Sequence, residues 1–229
     1  MDIARHPDFR LEKLTIGREQ APLVVIDNVV ANPDELVEIA AAKMFGEVVS
    51  YYPGVRTKAP LTYQRFIIDE LRDTFAGYFG LRATAVRFTT CHFSLVTTAP
   101  DNLEYLQQIP HIDSPSGAEI AFIHYLFKSD FGGTAFYRHR ATGYEVVDET
   151  RRANYWRIFE EEKAGPHRAD GGYINGDTPL YEQVGRQDGV FNRMLIYRRN
   201  SLHSPALSRH FVPDLDPRTG RLSINGFLA

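Results

Sequence analysis

The sequence TAVRFTTCHFSL, from Thr84 to Leu95, begins a strand-rich region and is the main indication of the fold. Successive side chains of this stretch are expected on opposite faces of a β-strand, because strand side chains repeat with a period of two. Many short strands separated by turn residues predict an antiparallel sandwich or barrel. Further strand-like segments, punctuated by Gly, Pro, Asn and Asp, lie at residues 119–127, 133–139, 190–198, 200–204 and 220–228.

Helical patterns precede this strand-rich region. After a strand at Leu23–Asp27, Asn32 suits a helix N-cap and Pro33 the first helical position, so a helix is expected to run to about residue 43. A second helix is predicted from about Tyr63 to Phe79, with Gly80 as its stop.

A third helical pattern, at residues 148–163, interrupts the strands and is followed by a polar, Gly-rich stretch at residues 165–177. Trp156 on this helix is expected to be a packing residue. Such an insertion is either a lid or binding loop, or a surface excursion with no role. We expect one domain over residues 1–229, made of a strand-helix region at about 1–82 and a strand core at about 83–229, with an insertion at about 140–190.

Composition excludes several classes of protein. Of the 229 residues, 43% are hydrophobic and 24% are charged, which rules out a mostly disordered chain. The net charge of −3 disfavours a protein that coats nucleic acid. Cys91 is the only cysteine, so an intramolecular disulfide and a cysteine-based zinc or iron–sulfur site are excluded. The chain has no apolar run of bilayer length and no signal-peptide core at its start. We therefore expect a cytoplasmic protein that does not span a membrane.

Two short segments carry residues that can bind a metal. In an extended segment His111 and Asp113 point to the same side, because they are two positions apart. His203 lies in a second strand-like segment, Ser201–Ser204. Two histidines and one carboxylate form a facial triad, which suits non-haem Fe(II) oxygen chemistry. Taken alone, each segment fits equally well a solvated histidine near a turn.

The last predicted strand adds a candidate for anion binding. Arg221 and Ser223 share one face of this strand by the same period of two. A guanidinium can clamp a carboxylate with two hydrogen bonds, and a neighbouring hydroxyl can add a third. The alternative for Arg221 is a solvent-facing arginine in an ion pair.

The order of these features resembles the 2-oxoglutarate/Fe(II)-dependent dioxygenases, and in particular their prolyl-hydroxylase-like branch. In that branch the H-x-D segment is followed by a strand that ends in Tyr-Leu and then by Gly-Gly. Here Phe122–Leu126 ends in Tyr125-Leu126, and Gly132-Gly133 follow within Phe131–Phe136. The resemblance covers about residues 22–138 and 190–229.

The resemblance implies a mainly β fold, a double-stranded β-helix (jelly-roll or cupin-like) with flanking N-terminal helices and an inserted helix. It implies an iron- and 2-oxoglutarate-dependent oxidoreductase, a dioxygenase that uses dioxygen to hydroxylate a C–H bond. The implied site residues are His111, Asp113 and His203 as catalytic ligands of Fe(II), Arg221 with Ser223 as the site for the distal carboxylate of 2-oxoglutarate, and Tyr125 as a further contact to that carboxylate.

The chain departs from the family pattern between the second histidine and the arginine. Arg221 follows His203 by 18 residues, a longer gap than is usual in the family. The extra segment, Ser208–Arg218, is expected to be a hairpin excursion that leaves the strand register intact.

The sequence leaves other functions open. One alternative is a cupin-like metalloenzyme that does not use 2-oxoglutarate, and another is a non-catalytic jelly-roll binding module. A peptide, an amino acid and a small metabolite all remain candidate substrates. Assembly as a homodimer also remains possible.

The remaining histidines are expected outside the metal site. His92 and His124 fall in strands and are expected to be packed and hydrogen-bonded, while His167 and His210 are expected to be solvated. His139 is expected to be a solvated residue at a strand end or a pocket residue.

Overall fold

The computed structural model describes residues 3–47, 52–82, 84–167, 169 and 171–229. Residue 83, at the predicted start of the strand core, and residues 168 and 170 of the Gly-rich stretch lie outside this part. The strands and helices follow one another as β1 (Arg10–Ile16), β2 (Ala21–Asp27), α1 (Pro33–Ala41), β3 (Gly54–Lys58), α2 (Leu61–Gly77), β4 (Phe88–Val96), β5 (Ile120–Tyr125), β6 (Gly133–His139), α3 (Glu149–Lys163), β7 (Tyr181–Gln187), β8 (Met194–Arg198), β9 (His203–Ala206) and β10 (Leu222–Leu228).

The strands form two sheets in which all neighbours are antiparallel. The larger sheet has the order β1-β2-β8-β5-β10-β4-β3, and the smaller sheet has the order β7-β6-β9. A further bridge joins His111 to His203 at the edge of the smaller sheet. Together with α1, α2 and the inserted α3, this is the mainly β architecture with flanking helices that the sequence predicts.

The two faces of the larger sheet have different environments, and β10 shows the division. Leu222 and Ile224 face the helices and belong to the core that includes the buried residues of α1 and α2. Arg221, Ser223 and Asn225 alternate with them and line a cavity on the other face. The period of two therefore separates a hydrophobic layer from a polar one.

Helix α2 covers the core with the predicted stripe. Ile67, Leu71 and Phe75 are all buried, and a side chain of this size contributes about 2 kcal/mol when fully buried. Gly80 follows the helix with φ +65°, the left-handed conformation that suits a helix end. The N-cap prediction for α1 is only partly right, because Asn32 occupies the cap position but makes no side-chain capping hydrogen bond.

Three strands were not predicted from the sequence. Strands β1, β3 and β7 have mixed polar and apolar side chains on both faces, so their periodicity is weak. Strand β7 lies inside the predicted insertion at 140–190 and pairs with β6. That insertion therefore contributes a strand to the smaller sheet, and only part of it is an excursion.

Two predicted elements have different bounds or structure. The predicted strand at 190–198 is shortened to β8 because Asn192 adopts a positive φ of 63°, which interrupts an extended chain. The segment Ser208–Arg218 contains no strand, so the predicted hairpin is wrong. Strand β10 is nevertheless in register, with Ser223 opposite both Ser94 and Tyr125.

A buried polar network connects α2 to the larger sheet. His124 lies with Nδ1 at 2.9 Å from the Tyr63 hydroxyl and Nε2 at 3.1 Å from Asn192 Oδ1. Val30 fixes the amide orientation, since its N–H donates to Asn192 Oδ1 and its carbonyl accepts from Nδ2. The network therefore fits a neutral His124 that donates through Nε2 and accepts from Tyr63.

This network makes the stability of the protein depend on pH. Burial lowers the pKa of His124 from 6.5 to about 4. Between these values the unfolded chain binds a proton that the folded protein does not, so stability is present above about pH 6.5 and is lost as the pH falls toward 4. The pKa difference corresponds to about 3 kcal/mol.

We predict that His124→Gln weakens the fall in unfolding free energy between neutral pH and about pH 4, by up to about 3 kcal/mol. Urea unfolding at a series of pH values measures this. His210→Gln, at an exposed position, is the matched control and is expected to retain the wild-type profile. Identical profiles for the two variants would contradict the assignment.

Candidate metal centre

Backbone hydrogen bonds bring the H-x-D segment to β9. The His111 N–H donates to the His203 carbonyl at 2.9 Å, and the His203 N–H donates to the His111 carbonyl at 3.0 Å. Asp113 is held in turn by its N–H, which donates to the Arg199 carbonyl at 2.8 Å. The two segments that the sequence singled out are therefore neighbours, and their side chains share one side of the smaller sheet.

The three side chains present their donor atoms to one another. His111 Nε2 lies 3.9 Å from Asp113 Oδ1, and His203 Nε2 lies 3.6 Å from Asp113 Oδ2. Each residue offers one ligand atom such that all three atoms lie within 4.8 Å of one another. Two imidazole nitrogens and one carboxylate oxygen are the donor set of a facial triad for a divalent metal.

Hydrogen bonding and burial favour the metal-binding form of both imidazoles. His203 Nδ1 is 3.0 Å from the Ser201 carbonyl, so Nδ1 carries the proton and Nε2 keeps its lone pair. The His111 side chain is 46% exposed, but it lines the cavity. Burial by the surrounding protein lowers the pKa of His111 to about 4, and the neighbouring His203 acts in the same direction. His111 is therefore neutral near pH 7.

The triad opens into a cavity of about 490 Å³ between the sheets. Part of its wall comes from the inserted helix α3, through Tyr155, Trp156 and Phe159. Trp156 packs edge-on against Phe159 with ring centroids 5.1 Å apart, yet it is 38% exposed. The inserted helix thus has a place at the site, and Trp156 is both a packing and a lining residue.

Arg221 is a buried cation that lines the same cavity. It is only 4% exposed, and its guanidinium donates to the carbonyls of Gly133 at 3.0 Å and Phe131 at 3.4 Å. It also lies 5.9 Å from the ring centroid of Tyr125 and 5.3 Å from that of Phe127. Among the described residues no carboxylate lies within 4.0 Å of it. A desolvated guanidinium without a counter-ion is a site for an anion.

The Gly-Gly pair allows this arrangement. Gly132 has φ +73°, and a Cβ on it would lie 2.0 Å from the Ala206 carbonyl oxygen. A Cβ on Gly133 would lie 1.9 Å from the Gln187 carbonyl oxygen. Only glycine permits so close an approach of β6 to both of its neighbours. The pair thereby places the Gly133 carbonyl where Arg221 donates to it.

The other two residues predicted to bind 2-oxoglutarate, Ser223 and Tyr125, differ in their access to the cavity. Ser223 lines the cavity, and its hydroxyl donates to Asn225 Oδ1 at 2.7 Å. Tyr125 is fully buried, and its hydroxyl is 2.7 Å from Thr134 Oγ1. Thr134, rather than Tyr125, is among the residues that line the cavity.

Sequence reasoning missed five residues with polar groups that line the cavity, namely Tyr52, Arg56, Thr134, Tyr197 and Asn225. Asn225 continues the face of Arg221 and Ser223, so the period of two was a signal for it, whereas Thr134 only adjoins the Gly132-Gly133 pair. Arg56 lies on the unpredicted strand β3, and nothing in its local pattern ties it to the triad.

The remaining histidines lie outside the metal group. His139 is buried, with Nε2 2.7 Å from Glu162 Oε2 and Nδ1 2.9 Å from Thr142 Oγ1. The neighbouring Arg138 forms ion pairs with Glu145 and Glu182. His124 is held in the network described above. Half-buried or exposed positions are taken by His92, His167 and His210.

Comparison with known proteins gives a family and a fold. A family model described as a family of unknown function (DUF6445) matches residues 7–228. No curated protein matches the chain in sequence. In the described part of the chain, no helix is long and apolar enough to cross a membrane.

Solved structures of 2-oxoglutarate-dependent enzymes share the fold. SnoN from nogalamycin biosynthesis, a non-heme alpha ketoglutarate dependent epimerase, is 10% identical with a TM-score of 0.52, over 92% of this chain and 78% of that chain. HygX from Streptomyces hygroscopicus, with nickel and 2-oxoglutarate bound, is 11% identical with a TM-score of 0.50, over 92% of this chain and 84% of that chain. The predicted jelly-roll fold is confirmed.

We predict that a divalent metal stabilises the protein through the triad. At a metal concentration of about 100 times Kd, the unfolding free energy is expected to rise by about 2.7 kcal/mol. Thermal unfolding with Ni(II), before and after a chelator, measures the effect. Asp113→Ala and His203→Ala are expected to abolish it, whereas His92→Ala, at a strand histidine outside the group, is expected to retain it. An equal metal response in all variants would exclude this site.

Proposed function

The chain belongs to the DUF6445 family, whose function is unknown, and we propose that it is an Fe(II)- and 2-oxoglutarate-dependent oxygenase that hydroxylates a C–H bond. One observation carries the proposal: a facial triad and a buried arginine without a carboxylate partner line the same cavity. The first suits a non-haem iron and the second suits a dicarboxylate cofactor.

Each residue of the triad has a role in holding the iron. His111, Asp113 and His203 would bind Fe(II) from one side, which leaves the remaining coordination positions open to ligands from the cavity. The Ser201 carbonyl would keep His203 in the correct tautomer. Bound there, Fe(II) and 2-oxoglutarate supply the chemistry that activates dioxygen for oxidation of the substrate.

Arg221 would bind the distal carboxylate of 2-oxoglutarate through the N–H groups that face the cavity. Its contacts to Gly133 and Phe131 already fix the guanidinium, so little side-chain entropy is lost on binding. Ser223 would help by rotating its hydroxyl from Asn225 to the ligand. Tyr125 would act on the same carboxylate through Thr134, because the Tyr125 hydroxyl orients the Thr134 hydroxyl.

The structural relatives support the fold of such an enzyme and include different outcomes. HygX was solved with 2-oxoglutarate and a metal, and SnoN is an epimerase. Hydroxylation is therefore our proposal for this chain, with a small molecule, an amino acid or a peptide as substrate. The cytoplasmic location, the single domain and the choice between monomer and homodimer stay predictions.

We predict that Fe(II) and 2-oxoglutarate, added together without oxygen, produce a visible charge-transfer band that requires both. Arg221→Leu is expected to raise the Kd for 2-oxoglutarate by about 10- to 100-fold, since a hydrogen bond to a charged group contributes about 1.5–3 kcal/mol. Arg221→Lys is expected to lose part of the affinity. Arg157→Leu is the control, because that arginine is exposed on α3 and pairs with Glu161.

The other outcomes of this titration identify the alternatives. Iron binding without the band would favour a cupin-like metalloenzyme that does not use 2-oxoglutarate. Absence of iron binding would favour a non-catalytic binding module. A band and succinate release that both survive in Asp113→Ala would exclude the triad as the iron site.

A further inference from the structure

A second arginine lines the cavity, and neither the triad nor the 2-oxoglutarate site uses it. Arg56 on β3 stacks its guanidinium over the Tyr52 ring, with Cζ 4.0 Å from the ring centroid. Its Nε is buried without a hydrogen-bond partner. Burial lowers the pKa of Arg56, while the charge of Asp113 acts in the opposite direction. Arg56 is half-buried, and within the described ranges no carboxylate lies within 4.0 Å of its guanidinium, so this cation too lacks a counter-ion in direct contact.

The strand register places Arg56 beside the 2-oxoglutarate residues. Arg56 lies opposite Ser94 in the β3–β4 pair, and Ser94 lies opposite Ser223 in the β4–β10 pair. Residues directly opposite each other point to the same face of a sheet. Arg56 therefore belongs to the cavity-facing row that contains Ser223, and Arg221, the residue just before β10, lies two positions from Ser223. The backbone of Arg56 is also bonded to Gly46 on its other side, at 2.9 and 3.1 Å.

The charges of the cavity leave room for one more anion. Asp113 is the one carboxylate among the described lining residues, against the two cations Arg56 and Arg221. We count His111 and His203 as neutral, because a histidine that binds a metal must be neutral. With Fe(II) and the dianion 2-oxoglutarate bound, about one positive charge remains uncompensated in a desolvated site. The anion that balances it would be the substrate, since the cofactor charges are already counted.

Another part of the cavity lining is apolar. It is formed by Leu106 and Ile109, with Trp156 and Phe159 of α3. Such a wall gains free energy by covering an apolar group but offers no partner to a charged one. The cavity lining thus combines two arginines with apolar side chains, some of which belong to the inserted helix.

We propose that the substrate is an apolar carboxylic acid, whose carboxylate is bound by Arg56 while its hydrocarbon part packs against α3. This inference rests on the proposed function and names its substrate class. Stacking on Tyr52 and the backbone bonds to Gly46 hold Arg56 in place before the substrate binds. Arg56 is accordingly a specificity-determining residue, distinct from the Arg221 that binds the cofactor.

Binding of a matched acid and amide tests this. The protein is loaded with Ni(II) and 2-oxoglutarate, because the nickel complex does not turn over the substrate. It is then titrated with 3-cyclohexylpropanoate or 3-cyclohexylpropanamide. Trp156 is the only tryptophan and lines the cavity, so its fluorescence reports binding. We expect the acid to bind at least about tenfold more tightly than the amide. Equal affinities, or no binding of the acid at millimolar concentration, would overturn the proposal.

Variants of Arg56 assign the preference. Arg56→Gln is expected to reduce the acid-to-amide ratio to about one, and Arg56→Lys to keep part of it. The exposed-site variant Arg157→Gln is expected to keep the full ratio. A ratio unchanged in Arg56→Gln would contradict the role of Arg56. Thermal unfolding of Arg56→Gln and Arg56→Lys shows whether each variant is folded.

Failure of this inference can be separated from failure of the proposed function. If Arg56→Gln raises the Kd for 2-oxoglutarate about as strongly as Arg221→Leu does, Arg56 belongs to the cofactor site and the substrate proposal is wrong. If the wild-type protein forms no charge-transfer band, the proposed function is wrong. The acid–amide comparison with Ni(II) alone then shows separately whether the cavity prefers a carboxylate.

Discussion

The site depends on one pair of backbone hydrogen bonds, between His111 and His203. These bonds join the H-x-D segment to β9 at the edge of the smaller sheet, and they bring together residues that are far apart in the chain. Because the bonds are made by the main chain, the side chains are free to bind a metal. Strand β9 pairs in turn with β6. Strand β6 begins at Gly133, and the Gly132-Gly133 pair at this point supports Arg221.

The register of β10 is the second constraint. One face of this strand supplies Leu222 and Ile224 to the core under the helices, and the other supplies Arg221, Ser223 and Asn225 to the cavity. A slip of one residue would exchange these sets and bury an arginine among hydrophobic side chains. The requirement to bury one face therefore also fixes the orientation of the candidate cofactor site, so stability and function depend on the same register.

The parts of the site that were predictable share a simple local signal. The period of two put the side chains of the H-x-D and R-x-S patterns on shared faces, and the family resemblance gave those patterns and Gly132-Gly133 their meaning. Arg56 had no such signal, because β3 reaches the cavity through pairing with β4, which no local pattern encodes. Asn192 similarly delays the start of β8 to Met194, through a backbone conformation that its tertiary contacts to Val30 and His124 support. The role of Thr134 depends on its hydrogen bond with the Tyr125 hydroxyl, a tertiary contact that no local pattern encodes.

We propose that one cavity holds both a divalent metal and 2-oxoglutarate. The most direct test is a crystal structure of the protein with Ni(II) and 2-oxoglutarate, with the metal located by its anomalous signal. We predict the metal between His111, Asp113 and His203, and a carboxylate of 2-oxoglutarate on the guanidinium of Arg221. A metal bound elsewhere, or a 2-oxoglutarate molecule that leaves Arg221 without an anion, would contradict the account.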